Sequence, residues 1–150
     1  MAWVSCALLA GYLSAPRVAE QGQSPVGCYH LRLGAWSKPV DRGFVPPPVF
    51  RLDSALAVKA ASVARKVEPQ FLHTRGPWPL WFVDHGDTIQ VIWSTGFQGV
   101  ALSLKEQGDT LRGIAHTFTD VVGLMASPQA SATAVRVNCR IMDSPSGGKP

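Results

Sequence analysis

The segment His85 to Trp93, HGDTIQVIW, decides the fold, because it is nearly repeated 22 residues later as QGDTLRGIA, Gln107 to Ala115. In both copies a Gly-Asp pair separates two runs of alternating apolar and other residues. Glycine reaches positive φ without steric cost, and aspartate offers a side-chain acceptor to the turn backbone. The two copies therefore predict successive β-hairpins, not a solenoid, for which two copies are too few.

Period-two alternation continues on both sides of these hairpins and predicts further strands. The expected strands cover residues 27–33, 49–53, 80–83, 88–93, 100–104, 110–120 and 132–141. About six to eight strands with short links are typical of a mainly β chain. We expect a single antiparallel up-and-down β-barrel or meander, with a two-sheet sandwich as the alternative.

Residues 54–67, SALAVKAASVARKV, fit two structures. The alanines favour a helix, and Ser54 is a suitable N-cap. Leu56, Val63 and Val67 also share one face at helical spacing. An irregular hairpin fits the same residues, but we expect a short helix near 54–64.

The composition predicts a folded single domain. The chain has 150 residues, of which 46% are hydrophobic and 16% are charged, which argues against disorder and coiled coil. The net charge is +4. Lysines and arginines are scattered, and Arg65-Lys66 is the densest run. Because a basic stripe with interleaved aromatic residues is missing, we expect no nucleic-acid partner.

The N-terminus predicts a targeting segment. Residues 3–15 carry no charge and have the length of a signal-peptide h-region, too short for a comfortable membrane span. A basic n-region and an A-x-A cleavage site are missing, which favours an anchor that is kept over a signal peptide that is cleaved but leaves both open; a buried N-terminal helix is the alternative. We expect a leader (1–15), a linker (16–26), a barrel domain (27–142) and a disordered tail (143–150). The protein is then secreted or periplasmic, with membrane contact only through an uncleaved leader.

The cysteines agree with export. Cys6 lies in the leader, which leaves Cys28 and Cys139 as a pair near the two ends of the domain. In an oxidising compartment they are candidates for one disulfide, and the chain-entropy model gives such a loop about 4–5 kcal/mol. Two unrelated thiols are the alternative.

The alternation of the two strands argues against that bond. Cys139 is in phase with Val135 and Val137, which would form an apolar face. Cys28 is in phase with His30, on the polar face of its strand. A disulfide would therefore require a bulge or an irregular strand start at Cys28.

The candidates for catalysis are few. His85 lies between Asp84 and Asp87 in one turn, whereas a metal site needs three or four converging donors. His116 is in phase with Phe118 on its strand, where a single histidine is usually structural. Motifs for a nucleophile elbow, a phosphate loop or a zinc protease are missing from the sequence. We expect no catalytic residues, metal or cofactor, with an enzyme using His85 or His116 as the least favoured alternative.

Aromatic residues crowd positions 78–97. They belong either to the core or to an apolar pocket at the mouth of a barrel. Within this crowded stretch, Trp78, Trp81 and Phe97 are the candidates for a binding lip.

Three short motifs resemble those of the lipocalin-like (calycin) barrels. They are the Gly-x-Trp triplet at Gly34 to Trp36, the pair Thr119-Asp120, and an arginine near the end of the domain, Arg136 or Arg140. The resemblance implies a closed barrel in which this arginine packs over Trp36. In this chain the triplet follows the first strand instead of opening it, and a fold of this kind does not identify a ligand.

We therefore expect non-catalytic binding of a small apolar ligand inside the barrel. The candidate pocket residues are Tyr29, Leu31, Trp93, Leu102 and Phe118. The alternative is a cell-envelope interaction or structural module with a filled core, working through exposed loops at 74–81 and 94–99.

Overall fold

The computed structural model describes residues 24–57, 63–73, 76, 78–119 and 127–140. The predicted leader, residues 16–23 of the predicted linker, Asp120 and the predicted tail lie outside the described residues. The chain forms a closed barrel of eight antiparallel strands, each hydrogen-bonded to its neighbour in sequence and the last to the first. This confirms the predicted up-and-down barrel.

In the described part of the chain, the strands and a short 3₁₀ helix have these bounds: β1 Gly27–Leu33, the 3₁₀ helix Arg42–Phe44, β2 Val49–Leu56, β3 Arg65–Glu68, β4 Leu80–Asp84, β5 Thr88–Ser94, β6 Gln98–Gln107, β7 Thr110–Thr119 and β8 Gln129–Val137.

The repeated Gly-Asp pairs are hairpin turns, as predicted. The first joins β4 to β5, where Gly86 and Asp87 have φ values of +73° and +61°. The second joins β6 to β7, where Gly108 has a φ of +61°. Glycine occupies this left-handed region easily, and aspartate tolerates it better than most residues.

The predicted helix near 54–64 is wrong for the described residues of that segment. β2 continues to Leu56, β3 begins at Arg65, and the two strands pair with a register shift between Leu52 and Leu56. The irregular hairpin is therefore the correct alternative, although residues 58–62 lie outside the described part. Strand pairing buries Leu52 and Val67 in the core, and this burial outweighs the helix propensity of the alanines.

The barrel interior is filled by side chains from all eight strands. The buried core cluster consists of Tyr29, Leu31, Phe50, Leu52, Val67, Trp81, Ile89, Val91, Trp93, Val100, Leu102, Leu104, Leu111, Ala115, Ala132 and Ala134. The rings of Tyr29 and Phe50 stack at 5.5 Å, and Phe50 meets Trp93 edge-on at 5.8 Å. Burying one large apolar side chain contributes about 1.5–3 kcal/mol.

The two ends of the barrel differ in their connections. Because the strands run up and down in order, the links β2–β3, β4–β5 and β6–β7 lie at one end, together with the start of β1 and the end of β8. We call this the terminal end. The links β1–β2, β3–β4, β5–β6 and β7–β8 lie at the opposite end, which we call the cleft end.

A disulfide joins Cys28 to Cys139 at the terminal end, and it needs no bulge. Cys28 pairs with Val137 in a regular stretch of the β1–β8 ladder. Alanines, not valines, form the inward face of β8, and Val135 is 39% exposed. Cys139 is in phase with Val135 and Val137 and therefore lies on the outer side of the barrel, as Cys28 does. The expectation that Val135, Val137 and Cys139 form the inward apolar face is wrong.

Candidate functional site

A cleft of about 510 Å³ opens at the cleft end, beside the barrel axis. It lies between the β1–β2 connection, the ends of β6 and β7, and the residues that lead into β8. Its lining residues are Lys38, Pro39, Val40, Asp41, Phe44, Gln98, Gly99, Thr117, Phe118, Thr119, Ser127 and Pro128. The walls are mainly apolar, with hydroxyl, amide and charged groups at intervals, which is the usual composition of a small-molecule site.

The β1–β2 connection forms one wall and is fixed to β8. The Ser37 amide donates to the Gln129 carbonyl at 2.7 Å, and the Gln129 amide donates to Ser37 Oγ at 3.0 Å. Asp41 then caps the 3₁₀ helix, because its Oδ1 accepts a hydrogen bond from the Gly43 amide at 2.8 Å. This cap sets the direction of the backbone at Phe44, which lines the cleft.

Phe118 forms the opposite wall, and Gly99 makes room for it. The two residues pair across β6 and β7. A Cβ at position 99 would lie 2.1 Å from the Trp93 carbonyl oxygen and 2.7 Å from Phe118 Cζ, closer than such atoms approach. The absence of a side chain at Gly99 therefore allows the Phe118 ring to lie across β6 and face the cleft.

The β3–β4 connection covers the barrel axis at the same end. The Trp93 indole N–H donates to the Pro69 carbonyl at 3.0 Å. Phe71 packs on Trp93, with ring centroids 5.7 Å apart. The interior of the barrel is therefore covered here, and the cleft lies to one side of this cover.

The structure separates the five predicted pocket residues into two places. Tyr29, Leu31, Trp93 and Leu102 are at most 5% exposed and pack in the core cluster. Phe118 is half-buried and lines the cleft.

The three predicted lip residues also differ from one another. Trp81 is buried in the core, and its indole N–H donates to the Asp53 carbonyl at 2.8 Å. Trp78 is half-buried. Phe97, in the β5–β6 turn next to the cleft, is 76% exposed.

Hydroxyl groups hold the β5–β6 turn in one conformation. Ser94 Oγ accepts a hydrogen bond from the Gly96 amide at 2.9 Å. Thr95 Oγ1 donates to the Gln98 carbonyl at 3.1 Å and accepts from the Gln98 amide at 3.3 Å. Gly96 has a φ of +103°, which favours glycine. The turn is therefore a rigid support for Phe97.

The two histidine candidates lie apart. His85 is exposed in the β4–β5 turn, with its Nδ1 3.0 Å from Asp84 Oδ1. Hydrogen bonds from the His85 ring and amide lower the pKa of Asp84. His116 is half-buried on the outer face of β7, where burial lowers its pKa. Among the described residues, no group of three His, Cys, Asp or Glu side chains is arranged to hold a metal ion.

Arg136 packs over Tyr29 at the terminal end, not over Trp36. The guanidinium carbon lies 5.2 Å from the Tyr29 ring centroid. Trp36 follows β1 at the opposite end and packs, half-buried, against the core. Arg136 therefore does not make the contact with Trp36 that the lipocalin resemblance implies, and the ring that it covers is a tyrosine.

Arg136 and Tyr29 together hold the residues that precede β1. Arg136 Nη1 donates to the Val26 carbonyl at 2.8 Å, and Nη2 donates to the Ser24 carbonyl at 2.9 Å. The Tyr29 hydroxyl donates to the Pro25 carbonyl at 2.8 Å. Residues 24–26 therefore form a strap across the terminal end, which we call the N-terminal strap.

Sequence reasoning missed Phe44 and Gly99 as site residues. The signal for Phe44 was the Asp-Arg-Gly-Phe run at 41–44, in which an aspartate two residues before a glycine amide forms a capped turn. Gly99 gave no signal, because its role depends on a ring from the neighbouring strand.

Comparison with known proteins gave no match to a family model, a curated protein or a solved structure. The closed eight-stranded meander is consistent with a lipocalin-like small barrel at the level of fold. No helix among the described residues is long and apolar enough to cross a membrane.

Proposed function

We propose that this protein binds a small, mainly apolar ligand in the cleft and performs no catalysis on it. The observation that carries the proposal is the pair of aromatic walls, Phe44 and Phe118, which face one volume of about 510 Å³. Ligand pockets are typically about 300–1,000 Å³, with apolar walls and a few polar groups that orient the ligand. Gln98 and Thr117 supply such groups here.

The cleft supports this role better than the barrel interior does. The interior is filled by the core cluster, and the Phe71–Trp93 contact covers its axis. Opening it would expose rings that contribute about 1.5–3 kcal/mol each by burial. A ligand can enter the cleft without this cost.

The disulfide supports a secreted or periplasmic location, because such bonds persist in oxidising compartments and are rare in the cytosol. A binding protein of this kind would carry its ligand outside the cytosol. Mass spectrometry of the unreduced protein from its own host tests this, through the mature N-terminus and the two-dalton difference between bonded and reduced cysteines.

Titration with the uncharged fluorescent probe N-phenyl-1-naphthylamine tests ligand binding. At about 1 µM protein we expect saturable binding with a Kd in the micromolar range. Phe118→Ala and Phe44→Ala each remove one aromatic wall and should weaken binding by about twofold to tenfold, since an aromatic contact contributes about 0.5–1.5 kcal/mol.

Two variants are matched controls. Phe97→Ala removes the same side chain from the same end, outside the cleft lining. Ile114→Ala shortens a 43% exposed residue on the same outer face of β7 as Phe118. Both should bind the probe as the wild type does. Equal binding by the wild type and both wall variants would show that the probe binds elsewhere and would reject the cleft.

A further inference from the structure

Phe97 has the properties of an interface anchor. Its side chain is 76% exposed, the highest value among the large hydrophobic residues of the described part of the chain. The hydroxyls of Ser94 and Thr95 hold its turn, so docking Phe97 would order little additional backbone. Aromatic anchors on rigid elements contribute most when they fill a pocket on the partner.

A pocket of suitable chemistry lies directly beside this anchor. Gln98, the next residue, lines the cleft whose walls are Phe44 and Phe118. Phe97 itself is outside that lining. A protruding ring and an apolar cleft therefore lie side by side at one end of the barrel, and the Phe97 ring does not fill the cleft of its own copy.

We infer that the cleft end is the self-complementary face of a two-fold symmetric homodimer, in which Phe97 of each copy enters the cleft of the other. A two-fold axis midway between a protrusion and a cavity places each protrusion opposite the cavity of the second copy. This is the rule for an isologous interface: residue i contacts j, and j contacts i. An isologous contact of this kind requires only that the protrusion and the cavity lie next to each other on one face.

The charges of this face fit a second copy. Lys38, Asp41 and Arg42 are exposed in the β1–β2 connection, and the first two line the cleft. A face that carries both signs can meet its own copy without opposing charges of one sign. The net charge of +4 opposes association at low ionic strength, so moderate salt should favour the dimer.

The size of the contact predicts a weak dimer. A phenylalanine buries about 150–250 Å². Two of them bury about 300–500 Å² in total, so an interface built around them belongs with the weak, transient complexes that bury less than about 1,200 Å². Association should therefore be reversible, with the dimer in fast exchange. This inference does not depend on ligand binding, although a ligand in the cleft would compete with the dimer.

Sedimentation velocity from about 5 to about 500 µM, in about 150 mM salt, tests the dimer. We expect the wild type to shift from monomer to dimer across this range, and Phe97→Ala to remain monomeric. Ile114→Ala is the control and should follow the wild type. A wild type that is monomeric throughout, or a Phe97→Ala variant that dimerises equally well, would overturn the inference.

A mixing experiment tests the two-fold arrangement. Pro39 is exposed in the cleft wall, and Pro39→Trp places bulk where Phe97 of the second copy would enter. The Pro39→Trp variant keeps the anchor and loses the cleft, whereas Phe97→Ala keeps the cleft and loses the anchor. Each variant alone should be monomeric, and their mixture should form a heterodimer, weaker than the wild-type dimer, through the one contact that remains. Thermal unfolding of each variant first establishes that it is folded, and a folded Pro39→Trp variant that dimerises as strongly as the wild type contradicts the arrangement.

A lipid surface is the competing occupant for an exposed phenylalanine. Vesicles of phosphatidylcholine and phosphatidylglycerol test it by co-sedimentation. We expect no binding that depends on Phe97. Binding of the wild type but not of Phe97→Ala, together with a monomeric wild type, would assign Phe97 to membranes and reject the dimer.

Discussion

The two ends of the barrel differ in how they are held and in what they expose. At the terminal end, one covalent bond and three hydrogen bonds to backbone carbonyls hold the N-terminal strap and the end of β8 together. At the cleft end, apolar rings face an open volume, and Phe97 extends into solvent. The proposed binding cleft and the proposed dimer anchor therefore lie at the end opposite to the disulfide. Changes at the terminal end should therefore lower stability without altering the cleft.

Loss of the disulfide should have the largest effect. The bond spans 111 residues of sequence, and the chain-entropy model gives a loop of that length about 4–5 kcal/mol. The Cys28→Ser/Cys139→Ser double variant should lose about this much free energy of unfolding, measured by urea denaturation.

The control for this prediction is the reductant dithiothreitol. It should destabilise the wild type by a similar amount and leave the double variant unchanged. Under native conditions the double variant should still bind the naphthylamine probe with unaltered affinity. Loss of probe binding in a folded double variant would show that the two ends are coupled.

Replacement of Arg136 should have the second largest effect. Arg136→Met keeps an unbranched side chain over the Tyr29 ring but removes both donors to the N-terminal strap. Hydrogen bonds that involve charged groups contribute about 1.5–3 kcal/mol, and both of these bonds are exposed to solvent, so we expect a loss at the low end, about 1.5 kcal/mol, in urea denaturation. Arg112→Met, on the exposed outer face of β7, should change stability by less than about 0.5 kcal/mol. Equal losses in the two variants would mean that the strap contributes nothing.

Tyr29→Phe should have a smaller effect with a distinct pH dependence. Burial raises the pKa of Tyr29 to about 12, whereas the unfolded chain loses this proton near pH 10. The folded state therefore binds the proton more tightly, and this part of the stability is complete below about pH 10 and is lost as the pH rises towards 12.

The phenylalanine variant should lose about 1 kcal/mol at pH 7, because the bond to the Pro25 carbonyl is gone. It should also lose stability less steeply than the wild type between pH 10 and about 12. If the free energy of unfolding fell equally steeply with pH in the two proteins, the result would contradict a buried, hydrogen-bonded phenol at Tyr29.

Local pattern was sufficient to predict the barrel but not the packing of every strand. The Gly-Asp turns and the period-two runs describe neighbouring residues, and these predictions are confirmed. The inward face of β8 consists of alanines, which pack in the same core cluster as the larger side chains of Tyr29 and Leu31 on the paired strand β1. An alanine has little hydrophobicity of its own, so the strand was assigned the wrong face.

The site was less predictable, because it joins segments that are distant in sequence. Phe118 was proposed as a pocket residue from its position on a strand. Its opposite wall, Phe44, lies in a proline-rich connection without period-two alternation. The packing of Phe118 on Gly99 depends on the register of β6 and β7, which only the closed barrel defines.

The Cys28–Cys139 bond also determines how the protein responds to tension. The two ends of the described chain leave the barrel on the same side, and the bond joins the first strand to the residues that follow the last. A pulling force applied to the N- and C-terminal segments would pass from one segment to the other through the sulfur atoms. The eight strands between the cysteines would bear almost none of this load, so the oxidised barrel should stay folded under a pull that peels β1 from β8 in the reduced protein.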